Sequence, residues 1–178
     1  MSKILVMCEG ANEKKIVDLL LEHNKLRITK DDLLGLVTYH ARQITSPVIA
    51  PFLTMYSGDI DIIRIGDKQS DSLQIPKNLR KRIKTITKYC TKPELEILLI
   101  INEGLYEDYI RHYSRIRPKQ YAKNNIIYQK QKYDNSTRFY DNYYSNRIDN
   151  LIANLEKYKR LKKHNTDELY LYDLLNFL

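Results

Sequence analysis

Glycine is scarce in this chain, and none of it forms a phosphate-binding loop. The five glycines stand apart from one another along 178 residues. The glycine-rich loops of ATPases and dinucleotide-dependent enzymes are therefore lacking, which disfavours both classes. The sequence also lacks a Gly-x-Ser-x-Gly element, so no hydrolase-type serine nucleophile is indicated.

Cysteine, histidine and long apolar runs are equally sparse. The two cysteines, Cys8 and Cys90, and the four histidines do not show metal-ligand spacing. We interpret both cysteines as reduced, buried thiols of a cytoplasmic protein, with a Cys8–Cys90 disulfide as the less favoured alternative. No stretch is long and apolar enough to span a membrane. The first apolar run is too short for a signal peptide.

Positive charge is in excess. Thirty Lys and Arg residues stand against 22 Asp and Glu, for a net charge of +8. The excess is concentrated between Arg111 and Lys163, whereas the chain before Arg80 is closer to balance. Such a surplus favours an anionic partner, with nucleic acid first, and no membrane. The alternative is a solvated basic surface without a specific partner.

Apolar runs of strand length alternate with helical patterns. We predict strands at Lys3–Cys8, Asp59–Ile65 and Glu96–Ile101, and helices from about Asn12 to His23, Lys30–Gln43, Lys77–Tyr89, Leu105–Ile116, Ile148–Lys163 and Leu169–Leu178. This order predicts an α/β fold with a mostly parallel sheet flanked by helices. The composition changes at Pro118, so we predict an α/β domain at 1–117. We expect residues 118–178 to form a basic, tyrosine-rich, mainly helical extension that packs on this domain.

Carboxylates follow the predicted strands. Glu9 comes directly after the first, Asp67 after the second and Glu103 after the third. Because the carboxyl ends of parallel strands share one edge of a sheet, we expect these acids to converge and hold Mg²⁺. Glu9 and Glu103 are the candidate catalytic residues, and Arg64 and Lys68 are candidates to bind phosphate. The alternative is that Glu9 and Asp67 only serve turns and helix starts.

The segment Met7-Cys8-Glu9-Gly10-Ala11-Asn12-Glu13 resembles the first motif of Toprim domains of the overcoming-lysogenization-defect (OLD) nuclease type. The resemblance covers roughly the first 117 residues. It implies a parallel sheet, Mg²⁺ binding and nucleic-acid chemistry, with Glu9 as acid/base or metal ligand. Proteins resembling this domain often occur among phage-defence and mobile-element genes.

One feature departs from that family. Its second motif is Asp-x-Asp at the end of a later strand, whereas the predicted strand Leu98–Ile101 ends in Asn102-Glu103-Gly104. Glu103 is the only carboxylate there that can substitute. The departure favours a non-catalytic descendant as the alternative to an enzyme.

The second half interleaves tyrosine with basic residues. Nine tyrosines alternate with cations that include Arg111, Arg115, Lys119 and Lys123. Aromatic rings can stack on bases while the cations neutralise phosphates, which suits single-stranded nucleic acid or a distorted duplex. Two alternatives stay open: the tyrosines pack on the sheet, or they form an interface for a partner protein.

These patterns favour a nucleic-acid-binding Toprim-like protein, with Mg²⁺-dependent nuclease activity in phage defence or a mobile element. The alternative is a catalytically inactive Toprim-like module that docks on a partner protein or on nucleic acid. A third hypothesis is a small interaction protein whose basic half docks on an acidic host protein.

Overall fold

A four-stranded parallel sheet forms the centre of the fold. The computed structural model describes residues 2–67, 72–92, 94–161 and 168–176. The strands are β1 (Lys3–Cys8), β2 (Tyr39–His40), β3 (Ile60–Gly66) and β4 (Ile83–Cys90), in the order β2-β1-β3-β4. All three pairings in this sheet are parallel. The predicted α/β class, with a parallel sheet flanked by helices, is confirmed.

Seven helices, one hairpin and several short turns complete the described chain. The helices are α1 (Ala11–Glu22), α2 (Ala50–Met55), α3 (Ile97–Asn102), α4 (Tyr106–His112), α5 (Pro118–Asn125), α6 (Thr137–Tyr144) and α7 (Ile148–Leu161). Strands β5 (Ile127–Tyr128) and β6 (Gln131–Lys132) form the antiparallel hairpin. Single 3₁₀ turns lie at Lys30–Asp32, Leu34–Leu36, Lys77–Leu79 and Leu171–Leu174. None of the described helices is long and apolar enough to cross a bilayer.

Each face of the sheet is buried in its own hydrophobic core. Side chains of a strand alternate between faces, so Val6 and Cys8 point into one core while Leu5 and Met7 point into the other. The larger core, which we call the helical core, lies between the sheet and α1, α3, α5, α6 and α7. The smaller core is covered by the chain between Leu34 and Leu53 and by Leu79.

The first strand and helix form as predicted. Four consecutive buried residues, Leu5 to Cys8, form the centre of β1, and α1 begins at Ala11, one residue before the start that we predicted, with Gly10 as its N-cap. Glu13 lies in the first turn, where the helix dipole favours a carboxylate. The strand at Asp59–Ile65 and the helix from Ile148 are also confirmed as β3 and α7.

Two elements were predicted with the wrong type: one predicted helix is a strand, and one predicted strand is a helix. The segment Lys77–Tyr89 is not a helix, because its β-branched residues pair with β3 and form β4. The segment Glu96–Ile101 is not a strand but the helix α3, whose residues Ile97–Ile101 are all buried. A short helix that is apolar on every side has the same sequence pattern as a buried strand.

The predicted helix at Lys30–Gln43 is also wrong. Its residues form two 3₁₀ turns and β2. Gly35 and Leu36 adopt positive φ angles of 73° and 61°, which interrupt a helix. A Cβ at Gly35 would lie 2.3 Å from the Tyr39 hydroxyl, so the turn also needs glycine for space.

Candidate functional site

A cleft of about 570 Å³ opens at the carboxyl edge of the sheet. Its walls come from the first turn of α1, the residue after β3, the segment before α3, and the starts of α5 and α6. We call it the acidic cleft, and it is lined by Gly10, Ala11, Asn12, Glu13, Asp67, Glu94, Leu95, Glu96, Lys119, Asn135, Ser136 and Thr137. Four of these side chains are carboxylates and one is a lysine.

The carboxylates lie close enough to influence one another. Burial raises the pKa of Glu13, and the charges of Glu96, Asp67 and Glu9 raise it further. The Glu13 carboxyl folds back against Gly10, where a Cβ would lie 2.2 Å from Glu13 Oε2. A larger residue at position 10 would therefore require the Glu13 side chain to shift.

A buried network holds the opposite wall. Burial raises the pKa of Glu96, and the hydrogen bond that the Tyr133 hydroxyl donates to Glu96 Oε1, 2.7 Å long, opposes this shift. The Asn135 amide nitrogen donates to the same Oε1 at 3.1 Å, and its amide oxygen accepts from Lys119 Nζ at 2.9 Å. The backbone N–H of Lys119 donates to Glu94 Oε2. Lys119 is thus fixed at the rim of the cleft.

Glu9 lies at the tip of β1, as predicted, but its carboxylate is already paired. Continuing the alternation of β1, Glu9 points to the face of Met7, whose neighbour in register on β3 is Arg64. Glu9 Oε1 lies 3.6 Å from Arg64 Nη2, with only 11% and 4% of the two side chains exposed. Gly66 makes room for this carboxyl, because a Cβ there would lie 2.2 Å from Glu9 Cδ. Arg64 therefore lies in the interior and not on a phosphate-binding surface.

The predicted trio Glu9, Asp67 and Glu103 is not assembled as a whole. Asp67 lines the acidic cleft beside the end of β1, but Glu103 does not. Glu103 follows α3, lies exposed, and accepts a hydrogen bond from the Tyr143 hydroxyl. Because α3 is a helix and not a strand, Glu103 does not follow a strand of the sheet.

Sequence reasoning missed three acids of the cleft. Glu13 was visible as the last residue of the Glu-Gly motif, and its place in the first turn of α1 was the available signal. Glu94 precedes the segment that we predicted as a strand and Glu96 begins it, and nothing in the sequence indicated that the two acids face the same cleft.

The candidate nucleic-acid-binding residues fall into three groups. Arg111 and Arg115 are exposed on and just after α4, and Lys123 is half-buried on α5. Within the described ranges, these three side chains have no carboxylate at ion-pair distance. Lys119 lines the acidic cleft. Lys68 lies outside the described residues.

Most of the tyrosines are part of the core. Of the nine that alternate with basic residues, six are buried: Tyr109, Tyr121, Tyr133, Tyr140, Tyr143 and Tyr144. They pack edge-to-face or stacked on one another, as in the pair Tyr109 and Tyr121 with ring centres 5.2 Å apart. These six rings are not available to stack on bases, whereas Tyr113 is 63% exposed.

The acidic cleft can supply ligands to a hard cation. In the part of the chain that the structure describes, no three His, Cys, Asp or Glu side chains are grouped so that they could hold one metal ion. Mg²⁺, however, is commonly held by one or two carboxylates together with waters and substrate phosphates. Burial raises the pKa of Glu13 most, and the charges of Glu96, Asp67 and Glu9 raise it further; a bound cation would offset these neighbouring charges.

Comparison with known proteins does not indicate a function, so the proposal below is based on the acidic cleft. Searches against protein-family models, curated proteins and solved structures find no match to this chain.

Proposed function

We propose that this is a Toprim-like, nucleic-acid-binding protein of the cytoplasm that cleaves phosphodiester bonds with Mg²⁺ held in the acidic cleft. One observation carries the proposal. A protein of net charge +8 gathers Glu13, Asp67, Glu94 and Glu96 in one cleft at the carboxyl edge of its parallel sheet. Ligand sites of α/β proteins occur at this edge. A role in phage defence or in a mobile element follows from the family resemblance alone.

Each part of the site has a proposed role. Asp67 and Glu13 are the metal ligands nearest the Glu-Gly motif, and Lys119 neutralises a non-bridging phosphate oxygen. Arg111, Arg115 and Lys123 bind the backbone of the nucleic acid outside the cleft. A bound Mg²⁺ would polarise the phosphate and lower the pKa of a water.

The arrangement of strands supports Asp67 over Glu103 as the second acid. Strand β3 pairs directly with β1, so Asp67 follows β3 at the same edge of the sheet as Glu9. Asp67 lines the acidic cleft, whereas Glu103 does not. Two carboxylates, Asp67 and Glu13, suit a single Mg²⁺ whose other ligands are waters and phosphate oxygens.

Asp67→Asn and Glu13→Gln test the proposal. Each variant should lower Mg²⁺-dependent cleavage of a mixed set of labelled DNA and RNA strands by about 10²-fold or more, the effect of losing one catalytic group. Glu22→Gln, an exposed acid at the other end of α1, is the matched control and should cleave normally. Full cleavage by both cleft variants would overturn the assignment.

A second candidate function has its own support. Because Glu9 is already neutralised by the buried Arg64, the motif acid can serve the fold alone. The protein is then a non-cleaving module that docks on nucleic acid, or on a partner protein, through its basic half. Calorimetry distinguishes the two: nucleic-acid binding without measurable Mg²⁺ affinity favours the module, and Mg²⁺ binding that Asp67→Asn abolishes favours the enzyme.

A further inference from the structure

The β5–β6 hairpin has an unusual turn. Ile127 pairs with Lys132 and Tyr128 with Gln131, which leaves Gln129 and Lys130 as a two-residue loop. Both loop residues adopt positive φ angles, 48° and 68°. Two-residue hairpin loops of this kind strongly prefer Asn-Gly, because other side chains are strained there. The chain therefore keeps a lysine where glycine would be more stable.

The base of the hairpin is firmly held. The Tyr133 N–H donates to the Ile126 carbonyl, which extends the ladder by one more pair. The Tyr128 ring packs on buried Tyr143 with centres 4.9 Å apart, and the Arg147 guanidinium covers Tyr128 at 4.4 Å. From Ile126 to the loop, the ribbon extends about 10 Å at the usual rise per residue.

The surface around the hairpin is positively charged. Lys130, Lys132 and Arg138 are exposed, and none has a carboxylate at ion-pair distance in the described ranges. The two acids nearby in sequence are engaged: Asp134 accepts from the Ser136 N–H and hydroxyl, and Asp141 pairs with Lys15. Elsewhere many lysines have acidic partners, for example Lys84, which pairs with Asp59. Ile127 adds an apolar surface that is 63% exposed.

We propose that the β5–β6 hairpin enters a groove of double-stranded DNA. The major groove of B-form DNA admits a two-stranded ribbon, whereas that of A-form RNA is too narrow for side chains to read. Lys130 in the loop and Lys132 on β6 neutralise phosphates that border the groove. A single strand is disfavoured, because six of the nine tyrosine rings that would stack on its bases are buried.

The position of the hairpin connects this contact to the acidic cleft. Strand β6 continues through Tyr133 into Asn135, Ser136 and Thr137, which form one wall of the cleft. A duplex seated on the hairpin would therefore lie beside the carboxylates. The inference rests on the proposed function, and adds the element that binds and the form of the nucleic acid.

Lys130→Gly should affect thermal stability and affinity for DNA in opposite directions. Glycine fits a φ of 68°, so the variant should unfold at the same temperature as the wild type or higher. Its affinity for a short fluorescent DNA duplex should nevertheless fall by about threefold to tenfold, and the slope of log K against log salt should decrease by about 1. Lys132→Gln should weaken binding similarly, and Lys130→Arg should restore it. Lys157→Gln, which removes an exposed charge from α7, is the control.

Anisotropy titrations without metal, on duplex DNA, duplex RNA and single strands, decide the matter. Weakening confined to duplex DNA supports the proposal. Three results would overturn it. Both lysine variants could bind duplex DNA as tightly as the wild type, they could bind every probe equally more weakly, or the wild type could bind no duplex. Cleavage by the acidic-cleft variants is measured separately. Normal cleavage by those variants, with hairpin-dependent duplex binding, overturns the proposed nuclease and leaves this inference standing.

Discussion

The ion pair of Glu9 and Arg64 is almost fully shielded from water. Removing one charge from such a pair leaves the other without compensation in the interior. We expect Glu9→Gln to lower the free energy of unfolding by about 3 kcal/mol. Asp59→Asn breaks the Lys84–Asp59 pair, whose side chains are 49% and 55% exposed, and should cost less than about 1 kcal/mol. Urea denaturation of both variants measures the difference. Equal losses would contradict a structural role for the buried pair.

The crowded carboxyl of Glu13 makes stability depend on pH. Its pKa in the folded protein lies above the ordinary value of 4.5, so the folded state holds the proton more tightly than the unfolded state does. Ionisation of Glu13 therefore destabilises the fold as pH rises above about 4.5. We expect Glu13→Gln to raise the free energy of unfolding at pH 7, and the gain to disappear below pH 4.5, where Glu13 is protonated in both states.

Unfolding curves from pH 4 to pH 8 check this expectation, with Glu22→Gln as the control that should show no such gain. Mg²⁺ should also stabilise the wild type at pH 7 and have less effect in Glu13→Gln, since a cation that binds only the folded state stabilises it and Glu13 is one of its proposed ligands. A Glu13→Gln gain that persists unchanged at pH 4 would show that packing, not charge, is responsible.

At the scale of elements, hydrogen bonds from tyrosine hydroxyls connect the C-terminal helices to the site. The Tyr133 hydroxyl donates to Glu96 and lies 3.2 Å from the Tyr140 hydroxyl. We expect Tyr133→Phe to destabilise the protein by about 1–3 kcal/mol at pH 7, because it leaves a buried carboxylate short of a donor. The loss should shrink in acid, where Glu96 is neutral. Thermal unfolding compares it with Tyr113→Phe, an exposed ring, which should have no effect.

An element can be predicted from the sequence when its pattern of apolar residues fits a helix or a strand but not both. Strand β1 and helix α7 have such patterns, and a strand followed by Glu-Gly places Glu9 at the edge of the sheet. The patterns of β4 and α3 are ambiguous. In Ile83–Cys90, Lys84 and Lys88 stand four residues apart and suggest the basic face of a helix. Only the pairing of this segment with β3 makes it a strand. Helix α3 is buried on every side, so its residues carry no period of 3.6.

The same ambiguity explains which part of the site could be predicted. Asp67 follows a strand that the sequence identifies correctly, so its place at the edge was predictable. Glu96 lies before α3 and faces the cleft only because Tyr133 and Asn135, almost 40 positions later, pack against it. Contacts so distant in sequence leave no local pattern.

On the scale of the whole molecule, the composition change at Pro118 does not coincide with a boundary of the core. The helical core joins Val6 and Cys8 of the sheet to Tyr121 of α5, Tyr140 of α6 and Leu151 of α7. Helix α3 contacts α5 and α7, and α1 contacts α6. The chain returns to the sheet at Leu169 and Tyr170, where the Cys90 N–H donates to the Leu169 carbonyl. The tyrosine-rich half thus supplies much of the cover for one face of the sheet.

A chain truncated after residue 117 should therefore fail to fold. It would keep all four strands of the sheet, yet expose the apolar faces of α1 and α3 that α5, α6 and α7 cover in the full chain. Burial of apolar surface is the dominant stabilising contribution in a domain, and native stability is only about 5–15 kcal/mol. We expect residues 1–117 alone to lack a cooperative thermal transition by circular dichroism and to bind a hydrophobic dye, while the full chain unfolds in one step. A cooperative transition of the truncated chain would instead support the two-domain division at Pro118, and would assign the tyrosine-rich half to binding and not to the core.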